Sequence, residues 1–435
     1  MKAREAAVRA LLACEKRGAW SDAYLNGLFE KESTDRREAA LAYRICAGVL
    51  QNREACDWYL QPYRKGKLQD YVLAILRTAV YQIAFMDRIP VSAAVNEAVE
   101  LTKRMVNPGA ANLVNAVLRR LTAQELPPLP GGDDPESLSI RFSHPRPWVE
   151  YFLEALGPDK TRELLTLNNI PAPVSLRVNR LKATPATAAE ALKNEGVEVR
   201  ASVMEGFFYL DNPGDLTCLK AFRDGLVTVQ DPVASLPVYA ASVKPGMEVL
   251  DCCAAPGGKS FLLAEMMDNQ GSILSCDLHG NKLRLIEEGA ERLGIRIIDT
   301  CAADAAKPLG AMRERFDLVL ADVPCSGMGV IRKKPEIRYK TPEQVSPLPK
   351  TQLAILEGAA ACVRPGGVLV YSTCTLLREE NEAVTDRFLA DHPEFSRESM
   401  SLPAPFGPTE DGQRTVWPFE YETDGFYLCR MRKKT

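Results

Sequence analysis

Two spacings of apolar residues divide the chain into a helical first part and an alternating strand-and-helix last part. Up to about residue 122, apolar positions such as Leu73, Leu76 and Val80 recur every three or four residues, which is the spacing of amphipathic helices. After about Val243, short apolar runs of the parallel-sheet type alternate with helical segments: MEVLDCC, SILSCD, FDLVLADV and GGVLVYS. This order predicts an all-α N-terminal bundle and a C-terminal doubly wound α/β sheet.

A stretch rich in Pro, Gly and acidic residues, ELPPLPGGDDPES, separates the two parts and has the composition of a linker. After it, VSLRVN, TPATAAEALKNEG, VEVR and GFFYL predict a strand, a helix and two strands, with Thr184 as the N-cap of the helix and Pro185 as its first residue. The predicted domains are a helical domain over 1–125, a linker over 126–139, a small α/β segment over 140–235 and an α/β domain over 236–435.

Composition excludes several classes of protein. Of the 435 residues, 46% are hydrophobic and 26% are charged, as in an ordinary globular protein. The first residues carry charges throughout, unlike a signal peptide, and no apolar run is long enough to cross a membrane. Twelve cysteines are too sparse for a disulfide scaffold, and three distant histidines argue against a zinc site. We therefore expect reduced thiols, no metal and a cytoplasmic location.

Acidic residues at the ends of predicted strands indicate a nucleotide-type ligand. In VLDCCAAPGGKS a strand ends at Asp251 and a glycine-containing turn leads into a helix, and such sheets bind ligands at the carboxyl ends of their strands. Asp277 ends the next strand, 19 residues after Gly258, which suits an acceptor for ribose hydroxyls. The loop lacks G-x-G-x-x-G, so a cofactor without phosphate, such as S-adenosylmethionine, fits better than a dinucleotide.

A phosphate loop remains a second interpretation of the same turn. Gly258, Lys259 and Ser260 match the end of that motif, and Asp322 could assist magnesium. The first glycine of the motif is replaced by Cys253, which impairs the backbone cradle for phosphate. The turn alone therefore leaves a P-loop-like ATPase open.

Two cysteines follow strand-like runs: Cys325 in LVLADVPCSGMG and Cys374 in LVYSTCTLLREENE. A single buried cysteine usually acts as a small hydrophobic residue. Two cysteines at matching strand ends indicate chemistry at that edge of the sheet.

Several segments together resemble a known family. DCCAAPGGKS, DLVLADVPCSGMGVIRKKPEIR, YSTCTLLREENE and DGFYLCRMRKK resemble the RNA cytosine-5 methyltransferases of the RsmB/NOP family, Sun/Fmu type. YQIAFMDRIPVSAAVNEAVELTK and GAANLVNAVLRRL resemble the NusB-type RNA-binding domain, and SLRVNRLK is similar to the RRM-like segment of the family. The resemblance implies a NusB-like all-α bundle, a small α+β RRM-like segment and a Rossmann-like class I methyltransferase domain.

The resemblance also assigns roles to residues of this chain. It implies that S-adenosylmethionine contacts a set of loop and strand-end residues: Cys253, Ala254, Ala255, Pro256, Gly257, Gly258, Lys259, Asp277, Asp304 and Asp322. It implies that Cys374 attacks carbon 6 of a cytosine and that Cys325 assists product release, and Asp322 would bond the edge of the base. The methyl acceptor would be carbon 5 of a cytosine in 16S ribosomal RNA, free or in an early assembly intermediate, and we expect a monomer.

Basic and polar side chains near these motifs are candidates for contacts to the RNA backbone: Arg332, Lys333, Lys334, Arg177, Asn179 and Lys182. Besides the P-loop-like ATPase, one further alternative is a non-catalytic RNA-binding or antitermination factor with a degenerate fold. Binding of S-adenosylmethionine would argue against that factor, and magnesium-dependent ATP hydrolysis would favour the ATPase.

Overall fold

The computed structural model describes residues 1–32, 34–64, 66–210, 214–307, 310–421 and 423–435. The chain forms two compact units. The first comprises Met1–Pro171 and Ile331–Lys340, and the second comprises Ala172–Val330 and Thr341–Thr435. A short segment within the C-terminal half of the sequence therefore belongs to the N-terminal unit.

The first unit is helical, as its apolar spacing predicts. Its described residues form ten α-helices: α1 (Ala3–Arg17), α2 (Ser21–Lys31), α3 (Arg36–Gln51), α4 (Arg53–Leu60), α5 (Asp70–Phe85), α6 (Val91–Met105), α7 (Pro108–Leu121), α8 (Pro135–Phe142), α9 (Arg146–Leu156) and α10 (Pro158–Leu167). Leu76 and Val80 of α5 are fully buried in the shared core, and Leu73 packs against it. The prediction of an all-α N-terminal bundle is confirmed.

Polar side chains set where several of these helices begin. Asn107 accepts a hydrogen bond from the backbone N–H of Ala110 at the start of α7, and Asp134 accepts from two backbone N–H groups at the start of α8. Because Asp134 and Pro135 start a helix, the connecting stretch ends earlier than the predicted linker of 126–139. Helices α9 and α10 follow, so the small sheet begins well after the predicted boundary at 140.

The second unit begins with a small antiparallel sheet of strand order β2-β3-β1-β4. Its strands are β1 (Val174–Val178), β2 (Arg200–Ala201), β3 (Phe207–Leu210) and β4 (Val227–Val229), with helix α11 (Pro185–Asn194) between β1 and β2. The Thr184 hydroxyl accepts from the backbone N–H of Thr187, which confirms the predicted N-cap of α11. The predicted strand VEVR is wrong except for its last residue, and β4 completes the sheet instead.

The main sheet has the strand order β10-β14-β9-β8-β5-β6-β7, with β13 paired to β14. Its strands are β5 (Glu248–Asp251), β6 (Ser272–Asp277), β7 (Ile298–Ala302), β8 (Phe316–Asp322), β9 (Val363–Thr373), β10 (Phe395–Arg397), β13 (Gln413–Val416) and β14 (Phe426–Lys433), while β11 (Met400–Ser401) pairs separately with β12 (Pro408–Thr409). Strands β5 to β9 run parallel, and β14 is antiparallel to β9. The predicted doubly wound sheet is confirmed.

Among the described residues, five helices cover the two faces of this sheet: α13 (Pro232–Ala241), α14 (Gly258–Met266), α15 (Leu283–Leu293), α17 (Leu348–Cys362) and α18 (Glu382–Asp391). Helix α12 (Lys220–Arg223) packs in the core of the small sheet, and α16 (Pro342–Val345) precedes α17. Along β8, Leu318 and Leu320 enter the core formed with α13 to α15, whereas Val319 and Ala321 enter the core formed with α17 and α18. Strands buried on both faces are near-continuous apolar runs. Since β5 lies between β6 and β8, the ligand crevice lies at the carboxyl ends of β5 and β8.

A buried ion pair joins the small sheet to helix α14 beside the main sheet. Arg177 of β1 pairs with Glu265 of α14, and its Nε donates to Gln230 Oε1 at 2.5 Å. Asn179 is also buried and donates to the carbonyls of Gly225 and Leu293, both at 2.8 Å. The prediction that Arg177 and Asn179 contact RNA is therefore wrong.

No helix among the described residues is long and apolar enough to span a bilayer. All twelve cysteines are free thiols. Among the described residues, no cluster of three or more His, Cys, Asp or Glu side chains could ligate a metal ion.

The packing of α3 against α5 predicts a large effect from one added methyl group. A Cβ at Gly48 would lie 1.9 Å from the ring of the buried Tyr81, so Gly48→Ala should lower the free energy of unfolding by about 1–3 kcal/mol. The matched control is Gly27→Ala in α2, where nothing lies within 4 Å of the added Cβ and the higher helix propensity of Ala should add about 0.5–1 kcal/mol. Urea unfolding followed by circular dichroism measures both changes. A Gly48→Ala variant as stable as the parent would contradict this packing.

Candidate active site

The two cysteines singled out by the sequence lie next to each other. Strands β8 and β9 are parallel neighbours with Asp322 opposite Ser372, and Cys325 and Cys374 follow their ends. The two Sγ atoms are 3.2 Å apart. A disulfide would need about 2.05 Å, so this distance is that of a hydrogen bond between thiols.

The surroundings of Cys325 disfavour its thiolate. The hydrogen bond to Cys374, followed by burial and the nearby charges, raises the pKa of Cys325 well above its ordinary value. Either sulfur of the pair could donate the hydrogen bond, and a protonated Cys325 can donate it to the sulfur of Cys374. An S–H donor directed at a neighbouring sulfur stabilises negative charge there.

A buried carboxylate fixes the loops that carry both thiols. Glu380, fully buried, accepts from the backbone N–H of Ser326 and from Gln352 Nε2, both at 2.8 Å. The Thr375 hydroxyl donates to the other oxygen of Glu380 at 3.3 Å and lies 2.7 Å from the hydroxyl of Ser326. Glu380 thus contacts the residue after each cysteine. The sequence motifs assign Glu380 no role, although an acid six residues after Cys374 is the signal that identifies it.

Two glycines allow the loops to approach closely. The N–H of Gly329 donates to the carbonyl of Cys374 at 3.0 Å, and the N–H of Gly425 donates to the carbonyl of Gly329 at 2.8 Å. A Cβ at Gly329 would lie 2.1 Å from the carbonyl oxygen of Gly425. The backbone around Cys374 therefore needs a residue without a side chain at Gly329.

The turn between β5 and α14 forms the other side of the crevice. It contains a cis peptide bond before Pro256, and Gly257 adopts φ of 109°, a left-handed conformation that favours glycine. A Cβ at Gly257 would lie 2.4 Å from the ring of Phe261. The Ser260 hydroxyl donates to Asp251 Oδ2 at 2.7 Å, whereas the buried Asp251 Oδ1 has no hydrogen-bond partner among the described residues. A ligand that donates a hydrogen bond fits this unpaired oxygen.

Acids end the neighbouring strands along the same edge. Asp277, at the end of β6, accepts from the backbone N–H of Ala255 at 3.3 Å and of His279 at 2.9 Å, so its carboxylate lies beside the turn. Asp304, just after β7, forms an ion pair with Lys307, and this contact holds its pKa below the usual range. The structure therefore brings the acids predicted from the sequence to one edge of the sheet.

Asp322 lies between the turn and the thiols. Its Oδ2 accepts from Lys259 Nζ at 2.5 Å and its Oδ1 from the Ser372 hydroxyl at 2.7 Å. Burial alone would lower the pKa of Lys259, but the negative charge of Asp322 outweighs it and raises the pKa. Because Lys259 is engaged by Asp322 here, the phosphate-loop interpretation loses its principal cation.

Of the basic residues after Cys325, two are used inside the first unit. Arg332 is buried and donates to the carbonyls of Ile170 and Pro171, both at 3.3 Å. Lys334 pairs with Asp22 at 2.6 Å. The prediction that Arg332 contacts RNA is wrong, whereas Lys333 is exposed and remains a candidate.

Three family models match separate parts of the chain. The model of the family described as 16S rRNA methyltransferase RsmB/F matches residues 238–432, that of the NusB family matches 1–123, and that of the RsmF/B-like ferredoxin-like domain matches 144–217. A probable ribosomal RNA small subunit methyltransferase B from Bacillus subtilis (strain 168) is 37% identical and covers 99% of this chain and 98% of its own length.

Solved structures share the fold of this chain. The crystal structure of PH0851 is 28% identical, covers 99% of this chain and 98% of its own length, and has a TM-score of 0.84. NSun6 from Pyrococcus horikoshii, solved with SFG, shares the fold at 22% identity and a TM-score of 0.59, covering 66% of this chain and 97% of its own length.

Because one oxygen of the buried Asp251 is unpaired, replacing Asp251 should stabilise the protein, and the size of this stabilisation should depend on pH. Burial raises the pKa of Asp251 to about 6, above its value in the unfolded chain, so the folded state binds the proton more tightly. The free energy of unfolding therefore falls as pH rises from about 4 to about 6, by an amount on the order of 3 kcal/mol. Asp251→Asn should unfold at a higher temperature than the parent at pH 7.5, without ligand, and this gain should fade near pH 4.

Thermal unfolding at the two pH values measures this effect, and Asp268→Asn, at an exposed aspartate just beyond α14, is the control. Asp251→Asn should also bind S-adenosylmethionine more weakly in calorimetry, since a side-chain amide accepts hydrogen bonds on only one of its two terminal atoms, whereas a carboxylate accepts on both. A gain in stability that is equal at both pH values would contradict the raised pKa.

Proposed function

Because the chain belongs to the family of 16S rRNA methyltransferases RsmB/F, we propose that it methylates carbon 5 of a cytosine in 16S ribosomal RNA through a covalent cysteine adduct. S-adenosylmethionine is the methyl donor of this family member. The observation that carries the proposal is the distance of 3.2 Å between Cys325 Sγ and Cys374 Sγ at adjacent strand ends.

The chemistry needs a nucleophile because carbon 5 of cytosine attacks a methyl group too weakly by itself. Addition of the Cys374 thiolate to carbon 6 makes the ring an enamine with electron density on carbon 5. When bound, S-adenosylmethionine supplies an electrophilic methyl group to that carbon. With Cys325 as the donor, the hydrogen bond between the two sulfurs would stabilise the negative charge of the attacking Cys374 sulfur.

The same hydrogen bond sets the order in which the two cysteines react. The hydrogen bond with Cys374 is the largest cause of the raised pKa of Cys325, and burial and then the charge of Cys374 add to it. Once Cys374 is bonded to carbon 6 as a thioether, that charge is gone and Cys325 ionises more readily. The Cys325 thiolate then accepts the proton of carbon 5, the double bond re-forms between carbons 5 and 6, and the bond to Cys374 breaks with its electron pair returning to sulfur.

Asp322 is the proposed contact to the base. Each of its oxygens already accepts one hydrogen bond, from Lys259 or Ser372, and each has a further lone pair. A carboxylate fixed in this way can accept from the amino group and the protonated ring nitrogen of cytosine as positive charge develops. It needs no reorganisation, because both donors already orient it.

The residues proposed to hold the cofactor are those of the turn and the strand ends. The turn from Cys253 to Lys259 would surround its amino acid part, Asp277 its ribose and Asp304 its adenine, and Asp322 would lie beside the methyl group. The unpaired Asp251 Oδ1 suits an ammonium donor at the same turn. The crystal structure of NSun6 with SFG supports a ligand of this kind in this fold.

The domain division supports an RNA substrate. We propose that the helical residues 1–125 bind RNA and that residues 236–435 catalyse methyl transfer. The predicted linker 126–139 and the predicted segment 140–235 divide differently, since α8 to α10 precede the small RRM-like sheet, which begins at β1. The substrate would be 16S ribosomal RNA, free or in an early assembly intermediate, bound by a monomer in the cytoplasm. The presence of both thiols and of Asp277, Asp304 and Asp322 favours this enzyme over a non-catalytic antitermination factor.

Replacing each thiol separately tests the proposed roles. Cys374→Ala should abolish turnover and form no adduct, because no nucleophile remains. Cys325→Ala should attack and methylate but stall before elimination, so that RNA and protein migrate together in a denaturing gel. Cys218→Ala, at an exposed cysteine outside the site, is the control and should turn over like the parent. An adduct with Cys374→Ala and none with Cys325→Ala would reverse the two roles.

A further inference from the structure

The carboxamide of Gln230 lies beside the first turn of α14, the helix that follows the proposed cofactor turn. Gln230 comes directly after β4, and its backbone N–H donates to the carbonyl of Ser175 at 3.1 Å. Its Nε2 lies 3.6 Å from the position that a Cβ would take at Gly258, and its Cδ lies 3.9 Å from that position. The nitrogen end of the amide therefore faces the start of α14.

An arginine determines the orientation of this amide. Arg177 Nε donates to Gln230 Oε1 at 2.5 Å, and because an arginine side chain can only donate, the oxygen end of the amide must face Arg177. The guanidinium is held in turn by its ion pair with Glu265, and both side chains of that pair are buried. The amide of Gln230 thus has one orientation, with Nε2 directed toward Gly258.

The nitrogen of this amide has no acceptor within the part of the chain that the structure describes. Gln230 is 7% exposed, and the hydrogen bond from Arg177 uses only its oxygen. A buried donor without an acceptor is destabilising, and such a group in a native protein calls for an explanation such as a bound ligand. The unpaired Nε2 therefore points to a ligand that accepts a hydrogen bond.

The backbone at the start of α14 offers further donors. The first N–H groups of a helix have no partner within the helix, and Gly257, which precedes α14, has no side chain that could cap them. Gly258 and Lys259 are only half-buried, so a ligand can reach this end of the helix. Helix N-termini of this kind bind anions. The backbone and the Gln230 amide therefore fit one anionic group.

An unpaired acceptor meets the same turn of α14. The Ser260 hydroxyl donates to Asp251 Oδ2 at 2.7 Å, and the buried Asp251 Oδ1 is the unpaired oxygen described above. Ser260 is two residues after Gly258, so Asp251 and Gln230 both reach the first turn of the helix. An α-amino acid has an ammonium donor and a carboxylate acceptor on one carbon atom. The methionyl end of S-adenosylmethionine has this same pair of groups.

We propose that Gln230 is a cofactor-binding residue whose Nε2 donates to the carboxylate of S-adenosylmethionine, while Asp251 accepts from the ammonium on the same carbon. Arg177 is the positioning residue of Gln230, since it contacts the amide and not the cofactor. The small sheet that carries Arg177 thereby takes part in cofactor binding. The proposal rests on the proposed function, in which the turn from Cys253 to Lys259 surrounds the amino acid part of the cofactor.

The test compares a cofactor that has the carboxylate with one that lacks it. Binding of S-adenosylmethionine and of decarboxylated S-adenosylmethionine, which keeps the ammonium, is measured by calorimetry with the full-length protein. The variant is Gln230→Glu, because a glutamate still accepts from Arg177 but has no donor on its other oxygen. Gln270→Glu, the same change at an exposed glutamine after α14, is the matched control.

Gln230→Glu should bind S-adenosylmethionine about tenfold to a hundredfold more weakly than the parent, because a hydrogen bond to a charged group is lost and two carboxylates meet. It should bind decarboxylated S-adenosylmethionine at least as tightly as the parent, and Gln270→Glu should match the parent with both. Equal affinity of Gln230→Glu and the parent for S-adenosylmethionine would overturn the proposal. An equal loss with both cofactors would also overturn it, because such a loss does not depend on the carboxylate.

Arg177→Lys tests the positioning role. A lysine can keep the ion pair with Glu265 but lacks the rigid fork that reaches both Glu265 and Gln230. Its affinity for S-adenosylmethionine should fall while that for the decarboxylated cofactor stays at the parent's value. Urea unfolding is measured for each variant, and a loss of stability with unchanged affinity, or an equal loss of affinity for both cofactors, would overturn the role of Arg177.

Asp251→Asn tests the other end of the amino acid. It should weaken the binding of both cofactors, since both carry the ammonium, and unchanged affinity for either would contradict the contact assigned to Asp251. Failure of the proposed function gives a different result, in which the parent binds S-adenosylmethionine but makes no 5-methylcytosine. If the parent makes 5-methylcytosine and Gln230→Glu binds S-adenosylmethionine equally well, only the proposed role of Gln230 fails.

Discussion

The buried carboxylate of Glu380 is the contact on which the geometry of the site depends. It accepts hydrogen bonds from Ser326 and Thr375, the residues that directly follow Cys325 and Cys374, and from Gln352 of α17. Burying a charge is costly without partners, so its three donors define one arrangement of the two loops. The short distance between the sulfurs, and with it the raised pKa of Cys325, follows from this arrangement.

The other half of the site follows from the strand order. Because β5 lies between β6 and β8, the ends of these strands bring Asp251, Asp277 and Asp322 to one crevice. Asp251 is buried with one oxygen unpaired, which opposes stability until a ligand donates to it. Lys259 joins the two halves through its ion pair with Asp322. In the proposed function, cofactor binding and the placement of the base would therefore share one charged pair.

The sequence was sufficient for the parts of the molecule in which local pattern determines structure. Four apolar runs located β5, β6, β8 and β9, and the residues at their ends located the acids and thiols, because a side chain at a strand end has its place set by the strand. Buried charge pairs could not be located in this way. Arg177 and Arg332 are basic residues in polar segments, and only contacts with Glu265, Ile170 and Pro171, distant in sequence, show that they are internal. The assignment of Ile331–Lys340 to the helical unit has the same origin.

The identity of the methylated nucleoside tests the central claim most directly. The purified protein would be incubated with unmodified 16S ribosomal RNA and S-adenosylmethionine labelled in its methyl group, and the RNA would then be digested to nucleosides and separated by chromatography with mass detection. The account predicts that the label appears in 5-methylcytidine. Label in a methylated adenosine or guanosine, or on the amino group or ribose of cytidine, would contradict it, because none of those products needs a thiolate adduct at carbon 6.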